Sequence, residues 1–149
     1  MKRILYVLLI AAAMVIPTEP QELGKLKAVE VVYVHRDDAG MVIETDTGDY
    51  GEGATIEEAI EDLKATTPGT VYLDTAEYLL LSEAEGVWVE QLRCYLKGNV
   101  RMCLYRGEVE LKETAVYLRA HQPIQCLGTY QEGAKLQTVV SLKGRLKLE

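Results

Sequence analysis

The chain has 149 residues, 48% of them hydrophobic, with nine tyrosines and no phenylalanine, and a net charge of −7. That is the size of about one domain with enough apolar material for a packed core, which excludes a disordered chain. Lys2 and Arg3 are two of the 16 basic residues, so beyond residue 16 the chain carries 14 bases against 23 acids, a net −9. That balance argues against nucleic acid, which needs clustered Lys and Arg against phosphate, and against an anionic lipid surface.

In chain order, Lys2-Arg3 is a basic start and Ile4 to Ile16 an unbroken apolar run ending at Pro17. The run is shorter than the ~20 residues of an untilted membrane span and has the layout of a secretory signal. Residues 1–16 are therefore expected to be a signal peptide, cut near Ala11-Ala12-Ala13, or a short membrane anchor. Residues 17–21, with Pro17 and Pro20, read as a linker, and residues 22–149 as the folded domain.

Leu26 to His35 is apolar at both alternating sets of positions, the pattern of a strand inside a covered sheet. Arg36-Asp37-Asp38-Ala39-Gly40 is a turn and Met41 to Thr45 a returning strand, so a hairpin is expected, followed by a Gly- and Asp-rich loop over 46–53. Thr55 with Glu58 makes a capping box, and Ile56, Ala59, Ile60 and Leu63 form one stripe at helical spacing. Glu57 and Glu58 suit the positive end of that helix. Val71–Leu73 and Glu77–Ser82 read as strands, the second buried on both sides at Leu79-Leu80-Leu81. A second helix over 87–96 would turn Val87, Trp88, Leu92, Tyr95 and Leu96 inward, with Gly98 as its stop. A strand over 100–105 and a helix over 111–120 follow. From Val140 to Leu148 apolar and polar residues alternate strictly, which predicts one edge strand with a solvated face carrying Lys143, Arg145 and Lys147. The fold class expected is α/β (α+β): one mixed β-sheet, about three flanking helices, an N-terminal hairpin and a C-terminal edge strand.

Signals for chemistry are weak. Gly51-Glu52-Gly53 before a helix lacks the third glycine and the lysine of a phosphate loop and reads as a turn. His35-Arg36-Asp37 matches a kinase triplet by letters alone. Asp46, Asp49 and Glu52 lack the alternate spacing of an EF-hand loop and read as a solvated acidic loop. Cys94, Cys103 and Cys126 have no C-x-x-C spacing, so buried free thiols are expected, although an exported chain could bridge one pair. Only His35 and His121 are available to deprotonate a cysteine, and both read as surface or rim residues. His121 with Cys126 is the one pair close enough in sequence to suggest a small hydrolase, without an oxyanion-hole signature beside it. The expectation is a protein with no catalytic, cofactor-binding or metal-binding residues, in which Lys143, Arg145 and Lys147 are the candidate interaction surface.

One family resemblance joins these elements. Glu22-Leu23-Gly24-Lys25-Leu26, the apolar strand and the Arg36–Gly40 turn come first, then Gly51-Glu52-Gly53, Thr55-Ile56 and Glu58-Ala59. Val71-Tyr72-Leu73, Leu79 to Glu83, Gly86-Val87 and Arg101 complete the series. In that order they resemble the N-terminal domain of the Ger(x)C lipoproteins, the C subunits of bacterial spore germinant receptors, over residues 22–106. The resemblance implies an extracytoplasmic protein that docks with membrane-embedded receptor subunits during spore germination and has no catalytic residues. The chain departs from the family in three ways. No cysteine falls within 15–25 for lipid attachment, Asp74-Thr75 stands where the family often has Gly-His, and the later domains have no counterpart. The expectation is a shortened, stand-alone relative, membrane-anchored or secreted. The alternative expectation is a generic secreted binding module whose likeness is shared α/β packing.

Overall fold

A computed structural model describes residues 26–108 and 110–149. The expected signal peptide or anchor, the linker and residues 22–25 of the resemblance lie outside the described residues.

The expected α+β architecture is present. Seven strands form one mixed sheet: β2 (Val31–Arg36), β3 (Met41–Thr45), β4 (Tyr50–Gly53), β6 (Tyr78–Leu81), β7 (Arg101–Arg106), β8 (Thr138–Leu142) and β9 (Arg145–Leu148). Their order across the sheet is β4-β3-β2-β6-β7-β8-β9. The four central strands β2, β6, β7 and β8 are parallel, and antiparallel strands close both sides. Parallel neighbours need crossovers, and the chain supplies them as α1 (Ile56–Thr66), α2 (Gly86–Leu92) and α3 (Leu111–Ala120). A separate two-stranded parallel sheet pairs β1 (Leu26–Ala28) with β5 (Thr70–Tyr72).

The core has two layers set by strand alternation. On the first face Val32, Val34, Ile43, Leu79, Leu81 and Met102 pack with Ile56, Ile60 and Leu63 of α1 and Trp88, Val89 and Leu92 of α2. On the second face Val31, Tyr78, Leu80, Cys103, Tyr105 and Val139 pack with Ala115 and Leu118 of α3. All four residues of β6 are buried, as a strand with parallel neighbours and helices on both sides requires. At ~25 cal/mol per Å2, a fully buried Leu such as Leu80 contributes roughly 2 kcal/mol, so this strand anchors both layers.

Several expectations are corrected. The expected first strand divides at Val29-Glu30, and only residues 31–36 join the main sheet. The expected 46–53 loop ends in a strand, β4, whose glycines are set by packing. A Cβ at Gly51 would stand 2.1 Å from the Ala59 carbonyl oxygen, and one at Gly53 2.6 Å from the Ala59 nitrogen. Gly51 and Gly53 share the face on which α1 lies, so the helix rests directly on strand backbone. Gly51-Glu52-Gly53 is therefore a strand under a helix and not a turn. Thr55 caps α1 as expected, its hydroxyl accepting the Glu58 N–H at 3.2 Å; the Glu58 carboxylate takes the Ala54 N–H at 2.8 Å. α2 ends at Leu92, short of the expected 96, and Val87 faces solvent with 66% of its surface exposed. Val71 and Tyr72 pair with β1 outside the main sheet, while Leu73 starts a 3-10 turn.

The largest correction is at the C-terminus. The expected single strand from Val140 to Leu148 is a hairpin, turned by Lys143 (φ 51°) and Gly144 (φ 73°). Two consecutive left-handed residues are the mark of the tight turn whose twist suits paired strands.

Candidate functional site

The expected interaction residues do not form one row. Lys143 sits in the hairpin turn, and only Arg145 and Lys147 belong to β9. Their registers, Leu142 with Arg145 and Val140 with Lys147, put these four side chains on the first face, beside an exposed Leu142. Leu146 and Leu148 turn the other way and pack against the α3 layer. Lys147 is held by the Glu149 carboxylate at 2.8 Å, which raises its pKa.

At each edge of the main sheet a helix side chain takes one outward backbone N–H. At the β9 edge the Leu148 N–H donates to the Tyr117 hydroxyl of α3 at 2.8 Å. At the β4 edge the Glu52 N–H donates to Asp62 of α1 at 2.9 Å. An N–H engaged in this way is withheld from an added strand at that position. Sequence reading of β9 finds the edge and misses its plug, because Tyr117 lies 31 residues earlier.

The half of the second face over β2, β3 and β4 is different. His35 and Glu44 meet diagonally across β2 and β3, where Tyr33 stands opposite Glu44 and His35 opposite Val42, with Nε2 and Oε1 2.9 Å apart. The His35 ring stacks on Tyr33 at 4.8 Å between centroids, and Tyr33 meets Tyr105 edge-on at 5.1 Å. Burial, followed by the charge of Glu44 and the neighbouring Tyr105, raises the Tyr33 hydroxyl above its ordinary value. His35 and Glu44, with Val42, Tyr50 and Glu52, line a shallow hollow of about 370 Å3. Sequence reading places His35 at a rim and does not join it to Glu44. The period-two alternation of the two strands is the available signal, since opposed and diagonal neighbours share a face.

Asp46, Asp49 and Glu52, expected as a solvated acidic loop, are separately employed. Asp46 accepts the Glu30 and Val31 N–H groups, each at 2.9 Å, which fixes the entry to β2. Asp49 binds Lys27 at 3.0 Å and the Thr47 hydroxyl at 2.7 Å, tying β1 to the β3–β4 turn. Burial pushes the Asp49 carboxyl up, but the hydrogen bonds from Thr47 and Lys27 and the Lys27 charge outweigh it and hold the group below its ordinary value. No cluster of three or more His, Cys, Asp or Glu suited to a metal occurs among the described residues.

His121 and Cys126 are not joined by a hydrogen bond among the described residues. His121 is exposed, its ring stacked on Tyr117 at 4.4 Å and its Nδ1 3.2 Å from the Tyr117 carbonyl. Cys126 lies in a segment bridged to Arg101 at the start of β7. All three cysteines are free, but only Cys103 is fully buried; Cys94 is exposed, beyond the end of α2. Burial pushes the Cys103 thiol up to about 12, which leaves it protonated and inert at neutral pH. Trp88 is a core residue, as its spacing from Leu92 implied, and the Arg36 guanidinium lies 5.4 Å over its ring.

The arrangement defines an α+β domain with one N–H engaged at each sheet edge and, among the described residues, one half-face without a helix over it. No protein-family model, curated protein or solved structure matches the chain.

Proposed function

We propose that the chain is a non-enzymatic, extracytoplasmic docking protein related to the N-terminal domain of the Ger(x)C germinant-receptor subunits. It acts at the membrane during spore germination, through contact with membrane-embedded receptor subunits. The observation that carries the reading is where the resembling motifs fall. The Arg36–Gly40 turn, Gly51-Glu52-Gly53, Thr55–Ala59, Val71-Tyr72 and Leu79–Leu81 lie on successive elements from β2 to β6. The least ordinary of them, paired glycines before a capped helix, has one packing role, the seating of α1 on β4. Such a motif is tied to a particular helix-on-strand contact and not to helix formation in general. Extracytoplasmic placement rests on Lys2-Arg3 and the apolar run from Ile4 to Ile16. Among the described residues no helix is long and apolar enough to cross a membrane.

One observation favours a generic secreted binding module instead. Asp74-Thr75 replaces the family's Gly-His, and Thr75 serves the local structure, since its hydroxyl bonds the Val29 N–H and carbonyl, each at 2.9 Å.

A quantitative immunoblot of vegetative membrane, culture medium and purified spore inner membrane decides between them. Enrichment in the spore membrane is the expected result. Abundance in growing cells or medium, with none in spores, removes the germination reading and leaves the binding module.

A further inference from the structure

On the first face two helices cover the sheet, α1 across β3 and β4 and α2 beside it. On the second face α3 alone does so among the described residues, and its core layer includes no residue of β3 or β4. The uncovered strip is two strands and the flank of a third. Strands lie about 4.8 Å apart, so the strip is about 10 Å wide, the diameter of one α-helix with its side chains.

The strip has a definite chemistry. Its floor holds the Tyr33–His35 stack and Val42, and Tyr50 stands out with 58% of its surface exposed. Glu44 and Glu52 rise from the same floor, with Asp37 at the rim, and among the described residues no Lys or Arg lines the hollow. The nearest basic group of α3, Arg119, is committed to Glu30 by a two-pronged ion pair. Each sheet edge has an outward N–H taken by a helix side chain, which disfavours strand addition there relative to docking on this face.

We infer that the open half-face over β2–β4 is the docking surface, and that it takes a single cationic amphipathic helix from a partner protein. The helix lies beside α3, with its apolar side on Tyr33 and Tyr50 and its Lys or Arg residues against Glu44, Glu52 and Asp37. A second copy of this chain fits poorly, since its net charge is −7. The inference rests on the docking reading above, but not on the germination pathway.

The test is site-specific photo-crosslinking of the full chain in its own host, with p-benzoylphenylalanine at Tyr50 and, separately, at Leu142 and Arg145. All three positions are exposed. The expected result is a Tyr50 adduct, mapped by mass spectrometry to a cationic amphipathic segment, with little product from the other two. The double variant Glu44→Gln/Glu52→Gln should lower the Tyr50 adduct roughly fivefold, because charges at a contact set encounter and register. Adducts from Leu142 or Arg145 only, an acidic or uncharged partner segment, a second copy of this chain, or no Tyr50 adduct would each overturn the inference. The two readings fail separately. A cationic helix from a protein outside germination keeps this inference and removes the pathway. A germinant-receptor subunit captured through Arg145 does the reverse.

Discussion

The two edges of the sheet solve one problem with different materials. At the β4 edge a carboxylate from α1, Asp62, takes the outward Glu52 N–H; at the β9 edge the Tyr117 hydroxyl of α3 takes that of Leu148. The first plug is available because α1 rests on Gly51 and Gly53, which leaves its side chains within reach of the strand backbone. The second needs the length of a tyrosine, because α3 sits over the strands nearer the middle and reaches outward to β9. The β4 edge is therefore controlled by backbone fit and charge, and the β9 edge by one neutral hydrogen bond. Perturbations should separate them.

The largest effect is expected from Gly51→Ala. Its Cβ would stand 2.1 Å from the Ala59 oxygen and 2.4 Å from the Leu63 nitrogen, both backbone atoms of α1 that cannot rotate away. The helix must lift or the strand detach, at a cost of about 3 kcal/mol or more. Urea unfolding should show that loss. A midpoint like that of the parent chain would mean that α1 is not seated on β4.

Tyr117→Phe comes next. It keeps the ring against the α3 layer and removes the acceptor for Leu148, so the expected loss is about 1 kcal/mol. The Leu148 amide should exchange with solvent about fivefold faster, the equivalent of that energy, while the β4 amides stay unchanged. Equal acceleration at both edges would show that they are one cooperative unit.

Asp62→Ala is the matching change at β4, and its effect should be smaller, roughly 0.5 kcal/mol, because the freed Glu52 N–H can turn to water. Acid should probe the same side selectively. The Asp49 carboxyl is depressed by Thr47 and Lys27, so its contribution is full above the ordinary carboxylate value and is lost as pH falls through its lowered folded value. The tie from β1 to the β3–β4 turn should loosen there, read by amide exchange at Lys27 and Thr45. The β9 plug is a hydroxyl and not a carboxylate, so the Leu148 amide is the control for this comparison.

The same contrast explains which parts of the fold are legible in the residues alone. α1 is readable because its signals are local: a cap, an acid three residues on, and one apolar stripe. β4 is not, since glycines and acids are the residues strands usually avoid, and the reason for Gly51 and Gly53 lies on a helix that follows them. The C-terminal hairpin is hidden by its own turn. A two-residue turn is even in length, so Lys143-Gly144 leaves the alternation of letters intact while sending Val140 and Leu142 to one face and Leu146 and Leu148 to the other. The basic patch expected of Lys143, Arg145 and Lys147 dissolves for the same reason. On the open half-face, His35 and Glu44 can be placed on strands but not joined, because their diagonal contact follows from register and not from composition.

The smallest effect, and the one of opposite sign, is expected where α1 ends beside the β4 edge. Thr67 is buried, and its hydroxyl has no hydrogen-bond partner among the described residues. Its backbone N–H closes the helix on the Leu63 carbonyl at 3.1 Å, a bond that does not involve the side chain. Valine has the same branched shape and accepts the extended backbone of this position (φ −70°, ψ 127°). Thr67→Val therefore removes an unmet polar group and leaves the packing in place, which should raise stability by about 0.3 kcal/mol. The gain would appear as a higher urea midpoint with an unchanged slope. A loss of similar size would mean that the hydroxyl is hydrogen-bonded in solution. The β4 side would then hold a polar contact beyond Asp62, and the contrast with β9 would rest on more than backbone fit and charge.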